Sequence, residues 1–239
     1  MARRFQLCRK FITIQKYKGD YRVNKIISYK EAVDKICDGM TIMIGGFLGV
    51  GSPKGIIDAL VDKNVKELTI IANDTGFPEI AIGKLIVNKQ VKKVIVSHIG
   101  TNKETGRQMT SGETEVVLVP QGTLAEQIRA GGAGLGGVLT PTGLGTIVEE
   151  NKEKITIDGK TYLVEKALRA DVSLIYGSIV DTKGNVFYNK TTRNFNPLMA
   201  MAADTVIVEA KQIVDTGEID PHLVMTPGEV IDYILEEEK

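Results

Sequence analysis

The sequence predicts an α/β fold, a three-layer sandwich in which a mostly parallel sheet is covered by helices on both faces. Three observations carry this. Short apolar runs alternate with amphipathic segments at close spacing from residue 28 to residue 130, the pattern of a sheet buried on both sides. The run 40–44 breaks into four glycines within seven residues, Gly45, Gly46, Gly49 and Gly51, before a helix opens; this order brings a backbone close to a phosphate-bearing ligand in many α/β proteins. Polar or glycine clusters come after three of the strands, where ligands of such sheets gather.

Each element has a local signal. Ser28 and Glu31 form a capping box, and Ala32, Val33 and Ile36 come next at helical spacing. The first strand is 40–44. Ser52 reads as the N-cap and Pro53 as the first residue of a helix that carries Ile56, Ile57, Leu60 and Val61 on one face. A second strand at 68–72 stops at Asn73-Asp74-Thr75-Gly76, and a helix spans 78–87. A third strand occupies 91–97. A fourth, 115–119, ends at Pro120-Gln121-Gly122, and a helix over 123–130 runs into Gly131-Gly132-Ala133-Gly134.

The second half reads differently. Segments 154–157 and 160–164 flank Asp158-Gly159, the chemistry of a type I′ turn, and predict a β-hairpin insertion within one domain. The next strand is 172–175. The segment 185–188 pairs either with it or with 179–180. A helix at 195–203, a strand at 205–209 and a capping box at Thr226–Glu229 opening a last helix to Leu235 complete the chain.

Composition excludes several classes. Charged residues are 25% of the chain and the formal net charge is zero, so no global basic field points to nucleic acid. No stretch reaches the length of a membrane span. The first 25 residues hold eight basic side chains against Asp20 alone. This leader lacks both the long apolar core of a secretory signal and the serines of a transit peptide. Residues 1–24 are therefore expected to lie outside the fold, disordered or non-native, with the domain at 25–239. Cys8 and Cys37 have no metal-ligand spacing and form no disulfide framework, which fits a reducing cytoplasm. His98 and His222 lack any sequence-local partner and are expected at the surface or hydrogen-bonded.

The glycine loop fits neither nucleotide motif. A dinucleotide fingerprint lacks its third glycine here, and Ser52-Pro53 stand where a P-loop has Lys and Ser/Thr. Asp38 to Pro53 do spell another string without a gap: Asp-Gly, two variable residues, three apolar residues, Gly-Gly-Phe, three variable residues, Gly, one residue, Pro. This resembles the first signature of the family I coenzyme A transferases. The stretches Ile71-Ala72-Asn73-Asp74-Thr75, Ser97-His98-Ile99-Gly100-Thr101-Asn102, Val119-Pro120-Gln121-Gly122-Thr123, Arg193-Asn194-Phe195-Asn196-Pro197 and Met225-Thr226-Pro227-Gly228 extend the likeness in order. From Lys25 onward the chain looks like an alpha (A) subunit of the branch that uses acetate and acetoacetate.

The resemblance implies a chemistry, a partner and a set of site residues. The family's reaction moves coenzyme A (CoA) between short carboxylic acids through a glutamyl-CoA thioester. The glutamate belongs to a beta subunit, in a Ser-Glu-Asn-Gly motif that this chain lacks. No catalytic nucleophile is therefore expected here, and an α2β2 assembly is implied. Gly45, Gly46, Phe47, Leu48, Gly49, Val50 and Gly51 are expected at the CoA site. Asn73 and Gln121 are expected to hold the acid and the oxyanion. Neither a metal nor a tightly bound cofactor is expected, CoA being a substrate. Asp74 replaces the second asparagine of the succinyl-CoA:3-oxoacid enzymes. It either disfavours dicarboxylates by like-charge repulsion or caps the next helix. The competing reading is a single-chain sugar-phosphate isomerase-like or ligand-sensing protein on the same scaffold.

Overall fold

The computed structural model describes residues 24–237; Cys8, the cysteine reading that depends on it, and nearly all of the basic leader lie outside them. Helix α1 (Tyr29–Asp34) leads into β1 (Thr41–Ile44), α2 (Lys54–Lys63), β2 (Leu68–Ile71), α3 (Ile82–Val87), β3 (Val91–Val96), α4 (Lys103–Ser111), β4 (Glu115–Leu118) and α5 (Gln121–Gly132). The chain continues through β5 (Gly137–Thr140), β6 (Lys154–Ile157), β7 (Lys160–Lys166), β8 (Ala170–Gly177), β9 (Ile179–Asp181), β10 (Val186–Phe187), α6 (Asn196–Met201), β11 (Ala203–Ala210), β12 (Ile213–Val214) and β13 (Tyr233–Glu236).

Seven strands form one sheet in the order β13-β11-β8-β1-β2-β3-β4, and every neighbouring pair is parallel. Alternation along each strand sorts its side chains to two faces. Ile42, Ile44, Ile70, Val94, Leu174 and Ile207 pack with Ala32 of α1, Ile56 and Leu60 of α2 and Leu85 of α3. Met43, Ile71, Ile175, Val206, Val208 and Ile234 pack with Leu124 and Ile128 of α5 and Met199 of α6. The result is the three-layer sandwich expected. Each fully buried Ile or Leu contributes roughly 1.5–3 kcal/mol of burial free energy, and the parallel strands are apolar on both faces because both are covered.

Local chemistry sets several boundaries. The capping box at α1 is complete: Ser28 Oγ accepts the Glu31 amide at 3.3 Å, and the Glu31 carboxylate accepts the Ser28 amide at 2.9 Å. The hairpin β6–β7 turns at Asp158 and Gly159, both with positive φ (50° and 75°), as a type I′ turn requires. It is part of a three-stranded antiparallel sheet, β5-β7-β6, larger than the hairpin expected. Of the two pairings open to 185–188, the chain takes the second, with β10 antiparallel to β9.

Three expectations are corrected. Ser52 does not cap α2: Pro53 occupies that position, no side-chain cap bond forms, and Ser52 is buried. The segment after Thr226 is no helix. A single 3₁₀ turn at Gly228–Val230 gives way to β13, which pairs with β11 through Ile207–Ala210, and the Thr226 hydroxyl bonds the Tyr188 hydroxyl at 2.8 Å instead of capping. A free edge on β11 outweighs the local helix signal, as tertiary pairing commonly does. Helix α3 begins only at Ile82, because Ala81 sits at φ 48° and breaks the helix expected from residue 78.

Candidate active site

The sheet winds outward from β1 in two directions: through β2, β3 and β4 on one side, and through β8, β11 and β13 on the other. The boundary between β1 and β8 is therefore a topological switch point, where open α/β sheets bind ligands beyond the carboxyl ends of the strands. The glycine loop leaves β1 at this position. Its first amide, Gly45, continues the ladder to Leu174 O of β8 at 3.0 Å.

The loop is a small closed turn with a fixed shape. Phe47 and Val50 exchange amide–carbonyl bonds at 3.0 and 2.9 Å. Gly46, Gly49 and Gly51 have φ of 124°, 83° and 69°, and Leu48 between them has φ 49°, a conformation that costs little only at glycine. Close approach matters too: a Cβ on Gly45 would collide with Asn196 Oδ1, and one on Gly46 with Ser52 Oγ. Side chains from both flanks hold the turn. Asn194 Oδ1 accepts the Gly46 amide at 3.1 Å and Asn194 Nδ2 donates to Val50 O at 3.0 Å. Asn196 Nδ2 donates to Gly51 O at 3.0 Å, and Asp74 Oδ2 accepts the Leu48 amide at 3.1 Å. The amides of Gly45, Gly46, Phe47, Leu48 and Val50 are thus occupied. Those of Gly49 and Gly51 have no acceptor among the described residues. Phe47 and Val50 are about half exposed at the tip of the loop, where Ile80 lies against Gly49.

The loops after β2, β3 and β4 converge on the same edge. Gln121 Nε2 donates to Asn73 Oδ1 at 3.2 Å, and Asn73 Nδ2 donates to Asp74 Oδ2 at 2.8 Å. Ser97 Oγ donates to Asn73 O at 2.7 Å. Asn73 and Asp74 are buried, whereas Gln121, the first residue of α5, is exposed. A continuous hydrogen-bonded chain therefore runs Gln121–Asn73–Asp74–Leu48 and joins the two predicted parts of the site. Asp74 caps no helix. Its Oδ1 accepts the Gly76 amide at 2.7 Å, so its two oxygens receive three donors. Such a carboxylate is a clamp between loops and a poor nucleophile.

The N-terminus of α2, the helix that opens after the glycine loop, is occupied from within. Glu209, near the end of β11 and 1% exposed, accepts the Gly55 amide at 3.1 Å and the Ile56 amide at 2.7 Å. A carboxylate at that place satisfies orphan amides and complements the helix dipole. Burial, the largest influence, raises its pKa above the usual carboxylate range, and Glu237 adds to this; the two amides and Tyr29 oppose it. Sequence reasoning missed Glu209, Asn194 and Asn196 as supports of this loop. Asn194 and Asn196 lie within the Arg193–Pro197 likeness, the only signal available. His98 and His222 are exposed. Among the described residues no cluster of His, Cys, Asp and Glu could hold a metal ion, and no helix is long and apolar enough to cross a membrane.

Comparison with known proteins decides the family. Residues 26–237 match the family model described as coenzyme A transferase. The chain belongs to the coenzyme A transferase family. It is 58% identical over 211 residues to the acetate CoA-transferase subunit alpha of Escherichia coli K12, covering 88% of this chain and 96% of that one. It is also 58% identical over 214 residues to the acetoacetyl-CoA:acetate/butyrate CoA transferase alpha subunit of Clostridium acetobutylicum, covering 90% and 98%. Two solved structures share the CoA-transferase fold. An acyl-CoA transferase from Escherichia coli O157:H7, solved as a thioester complex with CoA, superposes with a TM-score of 0.81 at 22% identity; the match covers 92% of this chain and 49% of that one. The chain thus spans about half of that larger transferase. Glutaconate coenzyme A-transferase from Acidaminococcus fermentans gives a TM-score of 0.77 at 18% identity, over 89% and 75% of the two chains.

Proposed function

We propose that this chain is the alpha subunit of a CoA-transferase that moves CoA between acetyl-CoA or another short acyl-CoA and acetoacetate or a short-chain fatty acid. A beta subunit supplies the nucleophilic glutamate, in an α2β2 assembly. The reading rests on the hydrogen-bonded chain from Gln121 to the glycine loop. It sets amide donors for an acyl oxygen beside a rigid turn, with its one carboxylate, that of Asp74, already engaged by three donors. The names of the relatives, both alpha subunits, support the partner.

On this reading the partner's glutamate attacks the thioester carbonyl. Charge develops on the carbonyl oxygen, and the Gln121 side chain, which spends one N–H on Asn73, donates its second to that oxygen. CoA thiolate leaves and a mixed anhydride forms. The thiolate then attacks the glutamyl carbonyl, releasing the first acid and leaving a glutamyl-CoA thioester. The second acid reverses the sequence and departs as its own CoA ester. Splitting one exchange into successive acyl transfers keeps the thioester energy throughout. Asn73 orients the incoming carboxylate. Residues Gly45 to Gly51 bear on CoA through the apolar tip formed by Phe47 and Val50 and the amides of Gly49 and Gly51, not through the N-terminus of α2. CoA enters as a substrate, with no tightly bound cofactor, and the cytoplasm is the proposed site of action.

Reconstitution tests this. The chain mixed with a beta subunit carrying Ser-Glu-Asn-Gly is expected to form acetoacetyl-CoA from acetyl-CoA and acetoacetate, and neither chain alone should do so. Turnover by this chain alone, or a glutamyl thioester trapped on it, would defeat the assignment.

A further inference from the structure

The glycine loop is built by a segment about 150 residues away, and that segment does more than pack against it. Residues 189–196 return from β10 past the carboxyl end of β8 and lie along the loop. The contact is close: a Cβ on Gly51 would stand 2.6 Å from Thr192 O. Ser178 ties the same segment to the end of β8, accepting the Asn189 amide at 2.8 Å and meeting the Thr192 hydroxyl at 3.1 Å. Two side-chain amides reach from this anchored segment into the turn.

We propose that Asn194 and Asn196 are positioning residues for the bound CoA substrate, fixing the shape of the Gly45–Gly51 turn from across the switch point. The geometry separates their tasks. Asn194 spans the turn, receiving the Gly46 amide on one limb and donating to Val50 O on the other, so a single planar group sets the distance between the two limbs. Its own orientation is locked by the Thr191 carbonyl at 3.0 Å and the Phe195 amide at 2.7 Å. Asn196, fully buried, grips the exit of the turn at Gly51 O while its Oδ1 accepts the Tyr176 amide of β8 at 3.0 Å. It thereby fixes the turn to the sheet. The Gly46 limb needs an acceptor and the Val50 limb a donor from the same side chain, which an amide supplies and a carboxylate does not. The remaining loop anchor, Asp74, comes from the acyl side, so the turn is suspended between the two halves of the site.

This inference rests on the proposal that the loop meets CoA, and the test keeps the two apart. In the reconstituted complex, Asn194→Ala and Asn194→Asp are compared with wild type for melting temperature, for kcat, and for the KM values of acetyl-CoA and of the acid. Removing two net hydrogen bonds from the turn is expected to raise the KM for acetyl-CoA about 10- to 30-fold. The KM for the acid and kcat should stay within about twofold, the signature of lost uniform binding. Asn194→Asp keeps the acceptor for Gly46 but sets an oxygen against Val50 O, so it should show the same selective rise. An unchanged KM for acetyl-CoA in a folded variant overturns the inference. So does an equal fall of kcat for every substrate in step with the melting temperature, or failure of both variants to fold, since either marks a purely structural role. A wild-type complex that transfers no CoA would instead remove the underlying function.

Discussion

Glu209 gives the sharpest energetic test. Replacing it with alanine strips the partner from the Gly55 and Ile56 amides at the start of α2. Ile56 is 1% exposed and Gly55 only partly exposed, so water recovers little of the loss. An unpaired buried donor costs about 1–3 kcal/mol, which puts the expected destabilisation at about 2–4 kcal/mol. For a domain of this size that is a fall in melting temperature of about 5–15 °C. Glutamine separates charge from shape. Its oxygen serves one amide, and its NH₂ group faces the other donor, so Glu209→Gln should also destabilise. The pH dependence has a definite sign. Burial holds the folded pKa of Glu209 above its ordinary value of 4.5. The native state then binds this proton more tightly than the unfolded chain. The resulting stabilisation is complete below the unfolded pKa and is lost as pH rises through the folded one. Urea unfolding of wild type and Glu209→Gln at a series of pH values should show a gap that is widest in acid and narrows upward from about pH 4.5. A gap that stays constant, or widens toward neutral pH, would refute the reasoning, because the carboxylate would then be favoured as an anion by its amides.

Other perturbations address other parts of the molecule. Gln121→Ala in the reconstituted complex should lower kcat by about 10²–10³ with the fold intact; unchanged turnover with every acid would remove Gln121 from the site. Gly46→Val drives a Cβ into Ser52 Oγ at a backbone φ of 124°, and calorimetry of the complex should then detect no CoA binding; intact affinity would separate the loop from CoA. Ser173 is fully buried and its hydroxyl has no partner among the described residues, so Ser173→Ala should raise stability by about 1 kcal/mol in urea titrations.

Much of the layered fold was legible because burial on both faces leaves a mark in the sequence. Runs such as Ile42–Ile44 and Ile70–Ala72 are apolar at consecutive positions, which only a doubly covered strand needs. Helix α4 escaped because it carries almost no apolar stripe. Its ends are set by polar devices instead: the Asn102 side chain over the Glu104 and Thr105 amides, and Gly112 at φ 74°. The start of α2 was misread for a related reason. Ser52-Pro53 is a good local signal, and the cap nonetheless comes from Glu209, more than 150 residues later. In the site, residues at strand ends could be named from sequence, and Asn73, Gln121 and the glycines do meet. Which atoms join them could not be read. Asp74 looked equally like a helix cap, and only the distances to Leu48 and Gly76 assign it to the loops.

The suspension of the glycine turn also dictates when it can exist during synthesis. β1 is among the first strands to leave the ribosome, but its neighbour β8 and the two asparagines emerge more than 120 residues behind. At ordinary translation speeds Asn194 trails Gly46 by about 7–30 s. For that interval the nascent turn has neither its far limb fastened nor its exit pinned, and its apolar tip is open to chaperones. A message cut short just before codon 194 would yield a chain with β1–β4 and β8 of the seven-stranded sheet in hand and the turn unset.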